Sequence, residues 1–304
     1  IPEYVLKRAE RELNQVISAG YYVTYYLAYL LVKKSNSDGY VVGSRGSVGS
    51  SFIANLMGIT EVNALVPHYL CPKCHYSVFQ NQNEEDIPED TKPLFVNLKS
   101  VQDGFDLPRC RCPKCNTEML RDGHDIPFET FLGFNGDKVP DIDLNFSGEY
   151  QGKAMEFIRS IFGKSHAFRV GTIGTVAEGT AKIYYKKYLA KLGITLRNEE
   201  IERRAKYLID AKRTTGQHAG GVLIVPKELD IFDFTPIQFP ANDVNADWWT
   251  THYDYHGTLD EALLKLDILG HDDPTILKFL MDMVHEKPEN YPFSDVKGLS
   301  LIHI

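Results

Sequence analysis

The sequence predicts an α/β fold, mixing α and β elements in the manner of an α+β protein, with a small metal-binding insertion. Three observations predict it. Apolar, strand-like runs carry aspartates: Asp141 and Asp143 lie in Val139–Phe146, and Asp267 lies in Leu263–Gly270. A glycine- and serine-rich turn, Gly43–Ser51, stands between a strand pattern and a helix pattern. From Val66 to Asp122 the composition shifts to Cys, Pro and polar residues, and all five cysteines fall there.

Each element has its own justification. Pro2 to Ala19 reads as an amphipathic helix: Pro2 suits the first turn, Val5, Leu6, Ala9, Leu13, Val16 and Ile17 recur at helical spacing, and Gly20 stops it. Tyr22 to Lys34 reads as a second helix whose paired lysines suit the negative end of its dipole. Gly39–Val42 is a short strand feeding the glycine- and serine-rich turn, and a helix over roughly Ser51–Met57 follows. The cysteine-bearing insertion, acid-rich over Asn81–Asp90, comes next. Beyond it stand the strand of Asp141 and Asp143, a mostly helical basic stretch, a polar turn at Lys212–Gly221 and a strand at Gly221–Val225. A mixed segment then leads to the Asp267 strand and to a final helix from Pro274 to Val284. The chain has no initiating Met and opens inside a helical pattern, so it reads as a fragment. Leu299–Ile304 reads as a translated sequencing adaptor, with native sequence expected to stop near Gly298.

The 304 residues can build a sizeable core, and 43% hydrophobic with 24% charged residues is ordinary for a globular protein. There is neither a membrane-length apolar run nor a signal peptide, so the expected location is cytoplasmic, with no membrane partner. The net charge of -8 conceals an asymmetry. Residues 151–215 hold 14 Lys/Arg against 6 Asp/Glu, a local excess of +8. A chain that holds cations at one place and phosphates at another shows this pattern, although a solvated helical face would show it too.

The chemistry is concentrated in a few strings. In Asp141-Ile142-Asp143 alternate residues leave a strand on one face, so both carboxylates emerge together while Ile142 points the other way. A third carboxylate on a neighbouring strand, Asp267, completes an oxygen cage for two Mg²⁺ ions, the arrangement used for in-line phosphoryl transfer. Asp-x-Asp by itself also occurs in metal-dependent glycosyltransferases and in plain turns. In Gly43-Ser44-Arg45-Gly46-Ser47, the hydroxyls and N–H groups of Ser44, Gly46 and Ser47 can cradle phosphate oxygens that Arg45 neutralises. The turn lacks the Gly-Lys-Ser/Thr of a Walker A loop, which argues against an ordinary ATPase. Lys265 shares its strand face with Asp267 and could bind a substrate phosphate or pair with the carboxylates. Arg213 and His218 could contact phosphate or template, and a structural turn explains their glycine neighbours equally well.

Cys71-Pro-Lys-Cys74 and Cys112-Pro-Lys-Cys115 are two CxxC knuckles. They predict a tetrahedral, structural Zn²⁺ held by Cys71, Cys74, Cys112 and Cys115, since four thiolates leave no open coordination position. Cys110 is then the spare, because ligands separated by one residue are geometrically awkward. Disulfides are the competing reading, disfavoured by a cytoplasmic setting.

Together these strings resemble the C-family replicative DNA polymerases of bacteria, in the branch of the PolC-type alpha subunit of DNA polymerase III from low-GC Gram-positive bacteria. The resemblance runs through Gly39–Ser51, Cys71–Cys74, Gly123–Phe134, Pro140–Gln151, Gly171–Ala177, Thr214–Val225 and Leu263–Thr275. It implies a polymerase-beta-like nucleotidyltransferase palm with a helical thumb insertion and a small zinc-binding insertion. Asp141, Asp143 and Asp267 become the catalytic Mg²⁺ ligands, and Arg45, Gly46 and Ser47 touch the incoming dNTP with Lys265 nearby. Implied partners are primer-template DNA, dNTPs, and the sliding clamp and other replisome proteins at the nucleoid. The chain departs from the pattern at Cys110, an extra cysteine, and at Ala219, where this branch more often has Pro. Gly179–Lys182 also breaks an otherwise similar helix. The implied map is palm over 1–65, zinc insertion over 66–122, palm strand over 123–150 and thumb over 151–215. Palm returns over 216–272, fingers begin over 273–298, and 299–304 is a non-native tail. The expected activity is DNA-directed DNA synthesis by the parent enzyme, and the alternative is a catalytically silent, zinc-containing DNA-binding fragment.

Overall fold

Helix α1 (Glu3–Ser18) starts directly after Pro2, which has no N–H to leave unsatisfied, and stops before Gly20, whose φ is 79°. Helix α2 (Tyr22–Ser37) buries Tyr25, Leu27, Ala28, Leu31 and Val32. The chain then forms β1 (Gly43–Arg45), α3 (Phe52–Leu56), β2 (His68–Leu70), β3 (Ser77–Phe79), α4 (Lys92–Ser100), β4 (Leu120–Asp122), α5 (Glu129–Leu132) and β5 (Asp143–Ser147). It continues through α6 (Gln151–Phe162), β6 (Ala167–Thr175), α7 (Glu178–Leu192), α8 (Asn198–Ala205), β7 (Lys212–Ile224), β8 (Ile237–Gln238), β9 (Thr250–Asp254), β10 (Leu264–His271) and α9 (Asp272–Met283). The computed structural model describes residues 2–133, 138, 142–240, 243–260 and 262–284. The architecture is mixed α/β with a mixed sheet, and the chain divides into two units, 1–158 with 266–304, and 159–265.

In the first unit β5 lies between β1 and β10, antiparallel to β1 and parallel to β10. Parallel neighbours need a crossover connection, and here the crossover carries the whole of the second unit. Ile142, Leu144, Phe146 and Ile268 are buried, while Asp143 and Asp267 between them are half-exposed; Asn145 and Ser147, on the Asp143 face of β5, are buried as well. The strand's far end is anchored twice. Ser147 Oγ lies 2.7 Å from Thr275 Oγ1 on α9, and Tyr150 donates to Asp38 Oδ2 at 2.6 Å while stacking on Tyr40.

The cysteine-bearing segment has its own antiparallel sheet, ordered β3-β2-β4, and its own core of Tyr69, Val78, Leu94, Phe95, Leu98 and Leu107. In the second unit β6 pairs antiparallel with β7 and parallel with β9, and β8 joins β9. Phe168, Val170, Leu223, Val225 and Ile231 form its core. Gly171 sits at a register shift in β6 where a Cβ would fall 2.1 Å from the Thr251 carbonyl oxygen, so no larger residue fits.

Several local expectations change. Lys212–Gly220 is strand, not turn, because β6 supplies a ladder of partners, including Gly171↔Gln217 and Ile173↔Thr215, with register shifts at Arg169/Gly171 and Gly174/Thr175. The basic stretch expected to be mostly helical contains the nine-residue β6 beside its helices. No strand forms at Tyr40–Val42; it begins at Gly43, where β5 provides a partner. Gly179–Lys182 lies within the first turns of α7 without interrupting it, at the end of a helix where a glycine is least damaging. Half of the stripe predicted for α1 is also at the surface: Leu6, Leu13 and Ile17 are exposed, and the buried edge is centred on Glu12 and Val16.

Candidate active site and metal centre

Strand register assembles the first constellation. Arg45 on β1 is the partner of Asp143 on β5, and Asp143 is the partner of Asp267 on β10. Directly opposed residues project from the same face, with strands about 4.8 Å apart, so one guanidinium and two carboxylates leave the sheet side by side. Like charges directly opposite each other repel, so a cation beside the aspartate pair is favoured, and carboxylate oxygens suit a hard divalent ion. Arg45 is exposed and makes no ion pair with a described residue. Asp141 lies outside the described residues.

The chain turns sharply after Arg45. Gly46 has φ 75°, a conformation readily available only to glycine, and opens a 3-10 turn over Gly46–Ser50. Ser50 Oγ donates to the Ser47 carbonyl at 2.7 Å, and Ser51 then caps α3 by accepting from Ala54 N at 3.1 Å. Gly46 and Ser47 thus present backbone beside Arg45. Ser44 points to the other side of β1, buried, with Oγ 2.7 Å from Thr60 Oγ1 and donating to Glu61 Oε2 at 3.0 Å. Burial holds the Glu61 carboxyl above its ordinary range.

Three further residues were singled out from the sequence. Lys265 stands two positions before Asp267 on β10, with Nζ 5.4 Å from the Tyr255 ring centroid. Arg213 lies on β7 over the Tyr184 ring at 5.6 Å. His218 Nδ1 accepts from Gly221 N at 2.7 Å and from Gly220 N at 3.3 Å.

The second constellation is the sulfur cluster. The Sγ atoms of Cys71, Cys74, Cys112 and Cys115 all lie within 4.8 Å of one another. Cys71 and Cys115 are 3.3 Å apart, Cys74 and Cys112 3.5 Å, and Cys74 and Cys115 3.6 Å. Sulfurs arranged tetrahedrally about 2.3 Å from a metal would be about 3.8 Å apart, so the set fits one ion. The two knuckles repeat one geometry. His75 and Asn116 follow the second cysteine of each pair at φ 59° and 58°, and their N–H groups donate to the carbonyls of Cys71 and Cys112. The Cys71 and Cys112 N–H groups in turn donate to Tyr76 and Thr117 carbonyls, both at 2.8 Å. Thr117 also favours the Cys115 thiolate through its hydroxyl and backbone N–H, holding this thiol down to about 6. Burial pushes the Cys110 thiol up to about 11, and Cys110 is not among the four clustered sulfurs.

Comparison with known proteins decides the family. The family model of the bacterial DNA polymerase III alpha NTPase domain matches residues 1–195 and 180–270. The chain belongs to the bacterial DNA polymerase III alpha family. Its relatives include the PolC-type DNA polymerase III of Bacillus cereus, 54% identical over 301 residues, covering 99% of this chain and 20% of that protein. The PolC-type enzymes of Thermotoga maritima and Bacillus subtilis are each 52% identical over 301 residues, covering 99% of this chain and 21% and 20% of theirs. The chain therefore spans about a fifth of the length of these polymerase III relatives.

Two groups in this polymerase III segment escaped the sequence reading. Glu12 is fully buried on α1 and bonded to Arg8, with burial holding its carboxyl above the ordinary range. The signal was present: Glu12 stands three residues after Ala9 and four before Val16, inside the apolar stripe. Asn145 lies two residues after Asp143, is 6% exposed, and its Oδ1 has no hydrogen-bond partner among the described residues. Nothing in its sequence context marks it.

Proposed function

We propose that this chain is the palm and thumb portion of a replicative, DNA-directed DNA polymerase, transferring a nucleotidyl group from a dNTP to a primer 3′-hydroxyl with release of pyrophosphate. The observation that carries the reading is the row Arg45–Asp143–Asp267 across β1, β5 and β10. Asp141, Asp143 and Asp267 would hold two Mg²⁺ ions, which when bound lower the pKa of the attacking hydroxyl and take up charge on the triphosphate. The carboxylates fix the positions from which the primer hydroxyl and the α-phosphate meet in line. Arg45 neutralises the departing phosphates, the Gly46 and Ser47 backbone approaches their oxygens closely, and Lys265 adds a second cation on its strand. Ser44 contributes through the back of β1, where its hydroxyl ties the strand to Thr60 and Glu61.

The basic thumb, residues 151–215, binds primer-template DNA through its backbone phosphates, and Arg213 and His218 contact nucleic acid or nucleotide. Zn²⁺ is the ion assigned to Cys71, Cys74, Cys112 and Cys115, as soft thiolates favour it. Its role is structural. In the full-length parent the sliding clamp and other replisome proteins are partners, and the work is done in the cytoplasm at the nucleoid.

Titration of a fluorescent dNTP in Mg²⁺ tests the site: Arg45→Ala and Asp143→Asn should each weaken binding about tenfold or more. Equal affinity in all three proteins would remove the reading. The chain's coverage of only a fifth of its relatives favours a second reading for the isolated piece, a DNA-binding fragment that does not turn over. Primer extension by the chain alone, run beside a DNA-binding assay, separates the two.

A further inference from the structure

We infer that the buried pair Arg8–Glu12 on α1 is the positioning device of the phosphate-binding turn, so that affinity for the dNTP triphosphate is set partly from a helix with no place in the chemistry. The inference rests on the reading of Gly43–Ser47 as the triphosphate-binding turn. Arg8 and Glu12 have side-chain exposures of 12% and 0%. Glu12 uses both oxygens. Oε1 accepts from Arg8 Nε at 2.5 Å, and Oε2 accepts from Ser51 Oγ at 3.2 Å and from Ile53 N at 3.1 Å. The other arm of Arg8 donates through Nη2 to the carbonyls of Ser50 at 3.1 Å and Ile126 at 3.0 Å. The chain is therefore gripped on both sides of one point, at the carbonyl that ends the 3-10 turn and at an N–H in the first turn of α3. Tyr25 donates to Ser51 Oγ at 2.9 Å and closes the network from α2.

This grip sits one short turn away from the phosphate-binding residues. Between them Val48 is fully buried, and Gly49 is packed so closely that an added Cβ would lie 3.3 Å from Val62. The Ser50 hydroxyl bonds back to the Ser47 carbonyl. With no slack in Ser47–Ser51, a displacement at Ser50 is passed to Ser47 and Gly46. A buried ion pair is poorly suited to adding stability, because desolvation offsets most of its attraction. Its fork of directed hydrogen bonds instead fixes geometry, and fixed geometry is what a turn gripping a triphosphate through backbone N–H groups requires.

Steady-state dNTP incorporation by the complete polymerase tests the inference. Glu12→Gln keeps the side-chain shape and removes the charge that orients Arg8. It should raise the KM for dNTP about tenfold, leave kcat within about twofold and leave primer-template affinity unchanged, the signature of lost uniform binding. Should that variant not fold, Arg8→Lys keeps a cation beside Glu12 and deletes the arm to Ser50 and Ile126, and it carries the same expectation. Values of KM within twofold of wild type in both variants, with Arg45→Ala raising it, would overturn the inference alone. So would kcat, primer-template affinity and melting temperature falling together, which would mean that the pair supports the whole fold rather than the turn. An unchanged KM in Arg45→Ala would overturn both the inference and the phosphate-turn reading on which it rests.

Discussion

Two carboxylates placed directly opposite each other on neighbouring strands repel, and that repulsion is itself measurable. Without divalent ions, Asp267→Asn should stabilise the chain, by up to about 1 kcal/mol, because it removes a like-charge pair between Asp143 and Asp267. In Mg²⁺ the order should reverse: the melting temperature of the wild type should climb with ion concentration while that of the variant stays flat, since only a folded state that binds the ion is stabilised by it. Thermal melts across a Mg²⁺ series check both signs without any activity assay. Much of this was legible residue by residue. A carboxylate inside Leu-Lys-Leu-Asp-Ile-Leu is costly unless it has a partner, and that reasoning singled out Asp143 and Asp267, which strand register places opposite each other. The pairing of Arg45 with Asp143 depends on strand register that no local pattern encodes. Glu12 was marked only by its place inside the apolar stripe of α1, because its partners Ser51 and Ile53 are about forty residues away in the chain.

At the scale of elements, the cysteine-bearing segment is a self-contained test case. Its core is small, so the sulfur cluster and residues such as Leu98, which is fully buried, share the work of holding it together. Cys112→Ser should abolish metal binding, whereas Cys110→Ser should retain one metal per chain, both read by native mass spectrometry. Leu98→Ala should destabilise the segment by about 2–5 kcal/mol, the usual range for a leucine truncated in a packed core, and hydrogen exchange at Tyr69 and Val78 would report it. The two knuckles were readable because spacing alone specifies them. The long strand β7 was not. Lys212–Gly220 is polar and glycine-bearing, and it becomes strand because β6 offers backbone partners from Lys212 to Gln217 and again from Val222, a tertiary gain that outweighs local preference.

At the scale of the whole molecule, charge is unevenly distributed along the chain. The net charge is -8, yet residues 151–215 carry a local +8, and Lys186 and Lys187 on α7 are exposed. If those lysines neutralise DNA phosphates, replacing both with alanine should flatten the dependence of log K on log salt by about 0.9 for each phosphate no longer neutralised, and fluorescence anisotropy over a salt series would measure it. Membership of the bacterial DNA polymerase III alpha family was legible in motifs scattered over nearly the whole chain. Its division into two units was not, because the second unit is inserted between β5 and β10, strands that are neighbours in the sheet and distant in sequence. Everything converges on the row Arg45–Asp143–Asp267. The most direct test is primer extension by the complete polymerase carrying Asp267→Asn, with primer-template binding measured on the same preparation. Extension should fall by on the order of a thousandfold, a loss of several kcal/mol of transition-state stabilisation, while binding stays within about twofold. Extension at more than about a tenth of the wild-type rate, with binding intact, would contradict the two-metal reading of that row.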